Sequence, residues 1–151
     1  TQARIIFGGF PDNTKRVRDL FEQRFMNRHI IETDSTTAEL IKYMNNTFFA
    51  TKVSIINEFK LLSDALGTDW ETALYGFASD GRIGDSHLQA PGPDGRLGYG
   101  GTCFPKDVNA LITLADHLGT PLHTIKGGWK TNLEVRPEQD WKEDKGRAVS
   151  K

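Results

Sequence analysis

The sequence contains one cysteine and no excess of either charge. A single cysteine among 151 residues excludes an internal disulfide and a cysteine-cluster metal site, and it is typical of a reducing compartment. Nineteen basic side chains oppose 20 acidic ones, so the chain lacks the basic surface that is typical of nucleic-acid-binding proteins.

Three further patterns are absent. No apolar run approaches the ~20 residues of a membrane span, and the first residues lack the apolar core of a signal peptide. The dinucleotide fingerprint G-x-G-x-x-G occurs nowhere, and the four histidines show no metal-ligand spacing. We therefore predict a cytoplasmic chain of one domain's length that binds no metal, nucleic acid or membrane.

Two short apolar segments, residues 4–7 and 29–33, predict β-strands. The spacing of apolar residues from Pro11 to about Met26 predicts a helix between them, which makes a small α/β unit. Two strands rarely form a stable sheet by themselves. These strands therefore either extend a sheet supplied elsewhere or leave their edges exposed.

One long helix, over residues 35–66, dominates the sequence. Asp34 can cap its start, Gly67 suits its end, and no Gly or Pro lies between them. Such a helix measures ~45 Å, against roughly 40 Å for the width of a compact globule of this chain length. Its apolar stripe comprises Leu40, Met44, Phe48, Ile55, Phe59, Leu62 and Leu66, widened by Phe49, Val53 and Ile56. A second copy would cover this stripe most easily, so we predict a homodimer through residues 35–66.

Three shorter helices follow. They are predicted at residues 69–77, 105–119 and 122–135, although Gly127 and Gly128 weaken the last pattern. The predicted fold class is mainly α, with a long central helix, three or more shorter helices, and a small N-terminal α/β part that contains two short strands.

Two further segments, a loop and a C-terminal tail, differ from these helices in amino-acid composition. Residues 80–102 hold seven glycines and two prolines, which indicate a long irregular loop. Charged residues are frequent in 137–151, which predicts a solvated tail that Trp141 can dock onto the remainder.

Cys103 directly precedes the helix that Pro105 opens. The unpaired N–H groups and the positive dipole end of that helix would stabilise a thiolate. The glycine-rich residues 98–101 leave backbone donors bare for a ligand, and Asp107 on the first turn can orient water beside the sulfur. A buried, inert cysteine is an equally weighted alternative.

Lys42 and Asn46 share a helix face at spacing i, i+4. An ammonium and an amide on one face can polarise a carbonyl or hold an oxyanion. Arg82, in the loop, can reach a phosphate or a carboxylate. For all three residues, a solvated side chain is the commoner outcome.

Taken together, these segments resemble the nucleotide-sugar dehydrogenases of the UDP-glucose/GDP-mannose dehydrogenase family. The resemblance rests on the helix with Lys42 and Asn46, on residues 80–84, and on the run Gly-Tyr-Gly-Gly-Thr-Cys-Phe-Pro-Lys-Asp at residues 98–107. A K-x-x-x-N helix alone is a weak signal. Followed by the cysteine-bearing run, it becomes a specific one.

The resemblance implies an NAD-dependent, four-electron oxidation of a sugar C6 alcohol to a carboxylate, of the UDP-glucose to UDP-glucuronate type used in polysaccharide biosynthesis. Cys103 would form a thiohemiacetal and then a thioester. Lys42 and Asn46 would stabilise the oxyanion, and Asp107 would orient or activate water.

The same resemblance implies a substrate site. Gly98, Tyr99, Gly100 and Gly101 would cradle a UDP-sugar or a GDP-sugar. Arg82 would reach the substrate, in many family members that of the neighbouring subunit.

The resemblance also divides the chain. Residues 1–34 would be the remnant of an NAD-binding Rossmann domain, residues 35–136 the helical dimerisation domain, and residues 137–151 the tail. We expect this chain alone to bind NAD weakly and to be inactive. Two alternatives stay open: a non-catalytic homodimerisation module derived from the family, and the helical domain of a 3-hydroxyacid or 6-phosphogluconate type dehydrogenase, which needs no nucleophilic cysteine.

Overall fold

A computed structural model describes residues 4–25 and 28–143 of the chain. These residues form five α-helices, one 3-10 helix and one two-stranded sheet, so the predicted fold class is confirmed. The elements are β1 (Arg4–Gly8), α1 (Pro11–Arg24), β2 (His29–Thr33), α2 (Ser35–Leu66), α3 (Trp70–Ala78), α4 (Phe104–His117), α5 (His123–Val135) and the 3-10 helix η1 (Asp140–Lys142).

The observed bounds agree with the predicted ones to within about two residues. Helix α1 ends at Arg24, and Met26 lies outside the described residues. Helix α4 begins one residue before Pro105 and ends at His117, because Gly119 beyond it adopts a left-handed φ of 66° that no longer continues the helix. The chain divides into two compact units after Asn45, so the predicted limits at residues 34 and 136 stay a prediction.

The first unit is built on the parallel pairing of β1 with β2. Arg4 lies opposite His29 and Gly8 lies opposite Thr33. Helix α1 covers the strands through Phe21, whose ring packs edge-on against Phe7 with 5.2 Å between ring centroids. The predicted α/β unit is therefore present, with both of its strands in one sheet.

Helix α2 starts and ends as its caps predict. The Asp34 carboxylate accepts hydrogen bonds from the Thr37 N–H at 2.9 Å and from its hydroxyl at 2.7 Å. Gly67 follows the last turn with a φ of 66°. The 32 residues between them make a helix of about 48 Å.

The two faces of α2 have different surroundings. Ala50, Val53 and Ile56 are buried within the second unit. The seven residues of the predicted stripe are instead exposed, by 42% to 67% of their surface: Leu40, Met44, Phe48, Ile55, Phe59, Leu62 and Leu66. Of the three residues predicted to widen the stripe, Val53 and Ile56 thus belong to the core and Phe49 is half-buried, whereas the stripe itself faces outward.

The second unit packs α2, α4 and α5 around a common core. Val53, Tyr99 and Val108 lie at its centre, and Trp129 of α5 packs against them. Gly128 is buried where α5 meets α2, and its carbonyl accepts the Ser54 hydroxyl at 2.7 Å. A Cβ at Gly128 would make only ordinary contacts of 3.5–3.6 Å with α2, and α5 continues through the glycine pair to Val135.

Residues 137–143 are attached to the second unit by Trp141. Its side chain is 5% exposed and lies 5.4 Å, between ring centroids, from Trp129. The predicted docking of Trp141 is therefore confirmed, while residues 144–151 of the predicted tail lie outside the described residues. Within residues 4–25 and 28–143, no helix combines the length and apolarity needed to cross a membrane.

Candidate functional site

Cys103 stands at the N-cap of α4 and is exposed. Its carbonyl accepts the Asp107 N–H at 2.9 Å, the bond that closes the first turn. The Thr102 hydroxyl lies 3.7 Å from the sulfur. The alternative of a buried cysteine is therefore wrong, and the thiol is open to a reactant.

Asp107 and Asn46 are brought together by α4 and α2. The Asn46 Nδ2 donates to Asp107 Oδ2 at 2.5 Å, and Lys106 Nζ lies 2.9 Å from the other carboxylate oxygen. Asp107 is only 1% exposed. Because Asp107 also follows Cys103 at spacing i, i+4, the structure gathers Cys103, Asp107 and Asn46 at the start of α4.

Lys42 belongs to the first unit, whereas the other three residues belong to the second. Its side chain is exposed, and its Nζ lies 5.2 Å from the centre of the Tyr43 ring. Its approach to Cys103 stays a prediction.

Arg82 is exposed, with 87% of its side chain accessible. Its guanidinium binds both carboxylate oxygens of Asp80, at 2.5 and 2.7 Å, and thereby holds the pKa of Asp80 below its usual value. Lys52 on α2 donates to the carbonyls of Ile83 and Gly84, at 3.2 and 2.9 Å, which ties this loop to the helix. The role of Arg82 towards a substrate stays a prediction.

The three glycines of residues 98–101 differ in what surrounds the position that a Cβ atom would take. A Cβ at Gly98 would lie 2.5 Å from Asn132 Oδ1, and one at Gly100 would lie 2.5 Å from Asp140 Oδ1. At these two positions the protein's own side chains fill the space that we had assigned to a ligand. A Cβ at Gly101 would have no neighbour within 4 Å, so space is open on that side, while the Gly101 N–H is hydrogen-bonded to the Asp140 carboxylate.

The segment comprising residues 97–101 is held by polar side chains that sequence reasoning did not assign to the site. Asn57 Oδ1 accepts the Gly98 N–H at 3.0 Å, and Asn132 binds both the N–H and the carbonyl of Tyr99, at 2.7 and 3.0 Å. An asparagine amid apolar helix residues was the available signal. Its partners, however, lie 33 to 41 positions away in the chain.

Arg136 forms a nearly buried charge cluster beside this segment. Its side chain is 4% exposed, pairs with Asp140 at 2.8 and 3.0 Å, and reaches Asp94 at 2.7 Å. These hydrogen bonds lower the pKa of both carboxyl groups below their usual value and raise that of the guanidinium. The cluster joins the loop around Asp94 to the end of α5.

A cavity of about 770 Å³ lies against the same segment. Its walls include all four residues of the predicted substrate cradle, together with His87, Gln89 and Phe104. Phe104, the residue after Cys103, lies in the wall of the cavity, whereas Cys103 is not one of the lining residues. Its volume suits a small organic ligand.

His87 forms an aromatic wall of this cavity. Its ring stacks on Phe49, with 4.3 Å between ring centroids, and lies 5.7 Å from Phe104. Burial, and then the charge of Lys52, lower the pKa of His87 below its usual value, which favours the neutral ring at pH 7. Burial likewise raises the pKa of Tyr99, which keeps its phenol protonated.

The described residues contain no group of three or more His, Cys, Asp and Glu side chains that could hold a metal ion. The sequence contains no dinucleotide fingerprint. The expectation that this chain alone binds NAD weakly stays a prediction.

Comparison with known proteins gives consistent matches. Residues 36–134 match the model of the UDP-glucose/GDP-mannose dehydrogenase family, central domain. The UDP-glucose 6-dehydrogenase YwqF of Bacillus subtilis is 39% identical over 130 residues, which are 85% of this chain and 28% of the relative. The UDP-glucose 6-dehydrogenase of Rhizobium meliloti is 38% identical over 127 residues, 82% of this chain and 28% of the relative.

A solved structure agrees. That of a UDP-glucose dehydrogenase from Pyrobaculum islandicum superposes with a TM-score of 0.77 at 30% identity, over 93% of this chain and 31% of the other. The chain thus spans less than a third of the length of these relatives.

Proposed function

The chain belongs to the UDP-glucose/GDP-mannose dehydrogenase family, and on this basis we propose that it carries the catalytic cysteine of an NAD-dependent nucleotide-sugar 6-dehydrogenase. The observation that carries the proposal is the grouping of exposed Cys103 with buried Asp107, which Asn46 binds from a second helix. Cys103 lies at the N-cap of α4 with its side chain exposed, where a reactant can reach the sulfur. The substrate would be a UDP-sugar or a GDP-sugar.

Two steps of the proposed reaction use side chains of this chain. The Cys103 thiolate adds to the C6 aldehyde carbon, a C–S bond forms, and the carbonyl electron pair moves to oxygen. After oxidation to the thioester, water adds to the same carbon, the C–S bond breaks, and Cys103 leaves as a thiolate. In the whole enzyme NAD would accept the hydrides of both oxidations, and we assign no residue of this chain to it.

The amide and the carboxylate have complementary roles in these steps. Asn46 uses one N–H on Asp107, which leaves its second N–H for the oxyanion. Asp107, fixed on the first turn of α4, would orient the water that attacks the thioester. Lys42 would add a positive charge to the oxyanion site, a role supported by its spacing from Asn46 and by the family resemblance.

The cavity against residues 97–101 would hold the sugar nucleotide. Gly98, Tyr99, Gly100 and Gly101 form one wall of it, and the open Cβ position of Gly101 is where a ligand could come closest to these glycines. Exposed Arg82 would reach a substrate phosphate or carboxylate, which matches the fork geometry of a guanidinium.

We also propose that the chain is a homodimer through α2. Seven large apolar side chains are exposed along that helix, and contiguous apolar surface of this kind marks interaction sites. The partner would be a second copy, because a stripe that runs along one helix is covered most simply by the same stripe.

A chimera tests the catalytic proposal. Residues 36–134 replace the matching segment of the YwqF relative, and parental YwqF is the positive control. We expect two equivalents of NADH per sugar oxidised and, after an acid quench, a thioester on Cys103 by mass spectrometry. Cys103→Ala should abolish both.

Two results would contradict the proposal. Oxidation that survives Cys103→Ala would favour the non-catalytic dimerisation module. Oxidation without any covalent adduct would favour a 3-hydroxyacid or 6-phosphogluconate type reaction. Because the isolated chain lacks a dinucleotide fingerprint, we expect it to produce no NADH from UDP-glucose and NAD by itself.

A further inference from the structure

The backbone of residues 97–101 is bound almost entirely by side chains and not by other backbone. Asn57 on α2 accepts the Gly98 N–H, and Asn132 on α5 closes both hydrogen bonds of Tyr99. The Arg136 guanidinium reaches the Leu97 carbonyl at 3.4 Å. A segment with neither a helix nor a strand partner is thereby fixed from two helices.

Each asparagine amide fits its place in one orientation only. Asn57 Nδ2 donates to the Val53 carbonyl at 2.8 Å, which leaves Oδ1 to accept the Gly98 N–H. Turning the amide over would set a donor against a donor and an acceptor against an acceptor. The same holds for Asn132, whose amide matches the N–H and the carbonyl of Tyr99.

Burial makes these contacts specific. Asn57 is 1% exposed and Asn132 is 0% exposed. A buried amide without hydrogen-bond partners lowers the free energy of unfolding. Asn57 and Asn132 are therefore stable in the core only when Gly98 and Tyr99 bind their amides. Gly98 adds a further constraint, because its φ of 72° excludes most other residues.

We propose that Asn57 and Asn132 are positioning residues that hold Gly98 and Tyr99, and through them the short connection that ends at Cys103, in the arrangement the reaction needs before any substrate binds. This inference rests on the proposed function, because it assigns the two amides to the support of the nucleophile. Gly98 and Tyr99 also line the cavity, so the same bonds fix the wall against which the substrate would lie.

The first test measures amide hydrogen exchange by NMR on the unmodified chain. We expect the Gly98 and Tyr99 amides to exchange as slowly as the buried amides of α5. Exchange as fast as at exposed Gly84 would overturn the proposal even if no variant folds.

The second test compares Asn132→Leu and Asn57→Leu with the control Ser54→Ala. Ser54 also makes a buried hydrogen bond between α2 and α5, but it does not touch residues 97–101. Asn132→Leu should speed exchange of the Tyr99 amide about tenfold relative to α5 amides, and Asn57→Leu should do the same for Gly98. Ser54→Ala should leave both ratios unchanged.

A fluorine probe then reports on the nucleophile itself. Because Cys103 is the single cysteine, a trifluoromethyl tag attached to it gives one ¹⁹F signal. The signal should broaden or split in both leucine variants and stay sharp in Ser54→Ala. Asn132→Asp keeps the acceptor for the Tyr99 N–H but sets a buried carboxylate oxygen against the Tyr99 carbonyl, so it should not restore the sharp signal at neutral pH.

An unchanged signal in variants that are merely less stable would show that the amides have a structural role only, and it would overturn the inference. Neither readout involves substrate or cofactor. A failed thioester trap would therefore remove the catalytic proposal without altering these results, and the two failures are distinguishable.

Discussion

Asn46 of α2 and Asp107 of α4 share a hydrogen bond of 2.5 Å at the start of the helix that follows Cys103. One member is an amide and the other a carboxylate with 1% exposure, so the bond is charge-assisted and shielded from water. The pair couples the two helices that would supply the oxyanion donor and the water-orienting group.

A charge-swap experiment tests this coupling. Asn46→Asp would set two carboxylates together and should lower the free energy of unfolding by about 3 kcal/mol at pH 7. The double variant Asn46→Asp, Asp107→Asn restores one amide and one carboxylate and should recover most of the loss. Thermal or urea unfolding measures both, and equal losses in the single and double variants would contradict the coupling.

Substitutions at Gly98 and Gly95 can be compared directly, because the two glycines share a backbone conformation but differ in their surroundings. Both have a left-handed φ, 72° and 75°, but only Gly98 has its Cβ position blocked, by Asn132. Gly95→Ala should cost about 1–2 kcal/mol from backbone strain alone, and Gly98→Ala should cost about 1–3 kcal/mol more from the collision. Denaturant unfolding gives both values, and similar costs for the two variants would refute this explanation.

The Arg136 cluster predicts a loss of stability in acid. Arg136 lowers the pKa of Asp140, so the folded state favours the carboxylate more strongly than the unfolded state does. That contribution is fully present above the usual aspartate pKa, and it is lost as the pH falls below about 4. Asp140→Asn should cost about 1.5 kcal/mol at pH 7, and the difference from the unmodified chain should shrink below pH 4.

Asp116→Asn is the control for this pH profile. Asp116 pairs with Lys126 at the surface, where both side chains are substantially exposed. Such pairs contribute roughly 0–1 kcal/mol, so this variant should unfold nearly like the parent at every pH. An Asp140→Asn deficit that persists unchanged into acid would argue against the titration of Asp140.

The exposed stripe of α2 predicts self-association. Phe48 is 65% exposed at the middle of the stripe. Phe48→Asp should weaken a dimer by about 2 kcal/mol or more, roughly thirtyfold in Kd, which sedimentation equilibrium would detect. Leu118→Asp changes a residue of similar exposure, 70%, at the end of α4 and should leave association unaltered. A chain that stays monomeric at high concentration would exclude the dimer.

The two-stranded sheet predicts an uneven stability within the chain. A sheet of two strands is marginal, so we expect residues 4–33 to exchange their amide hydrogens faster than α4 and α5. Hydrogen exchange with mass spectrometry resolves these segments. Full protection of residues 4–33 in a dilute monomer would contradict this expectation.

The helices of this chain could be predicted from the sequence because their signals are local. Asp34 and Gly67 bound α2 within the sequence itself, and the apolar spacing of α4 and α5 survives even the glycine pair of α5. The proximity of Cys103 and Asp107 could likewise be predicted, because the two residues are one helical turn apart at the start of α4. Such features depend on residues a few positions apart.

The supports of the site depend on distant partners and could not be predicted. Asn57 and Asn132 become informative only once folding sets them against Gly98 and Tyr99. The glycines show the same limit, since a missing Cβ admits either a ligand or another part of the protein. At Gly98 and Gly100 side chains of the protein occupy the space that a Cβ would take. The sequence pattern would be the same if a ligand occupied that space.

The bonding of Tyr99 by Asn132 has a consequence for aggregation. Tyr99 exposes neither its N–H nor its carbonyl, because one side chain satisfies both groups as a neighbouring strand would. An extended peptide therefore finds no unpaired backbone group at Tyr99 to which it could add as a further strand.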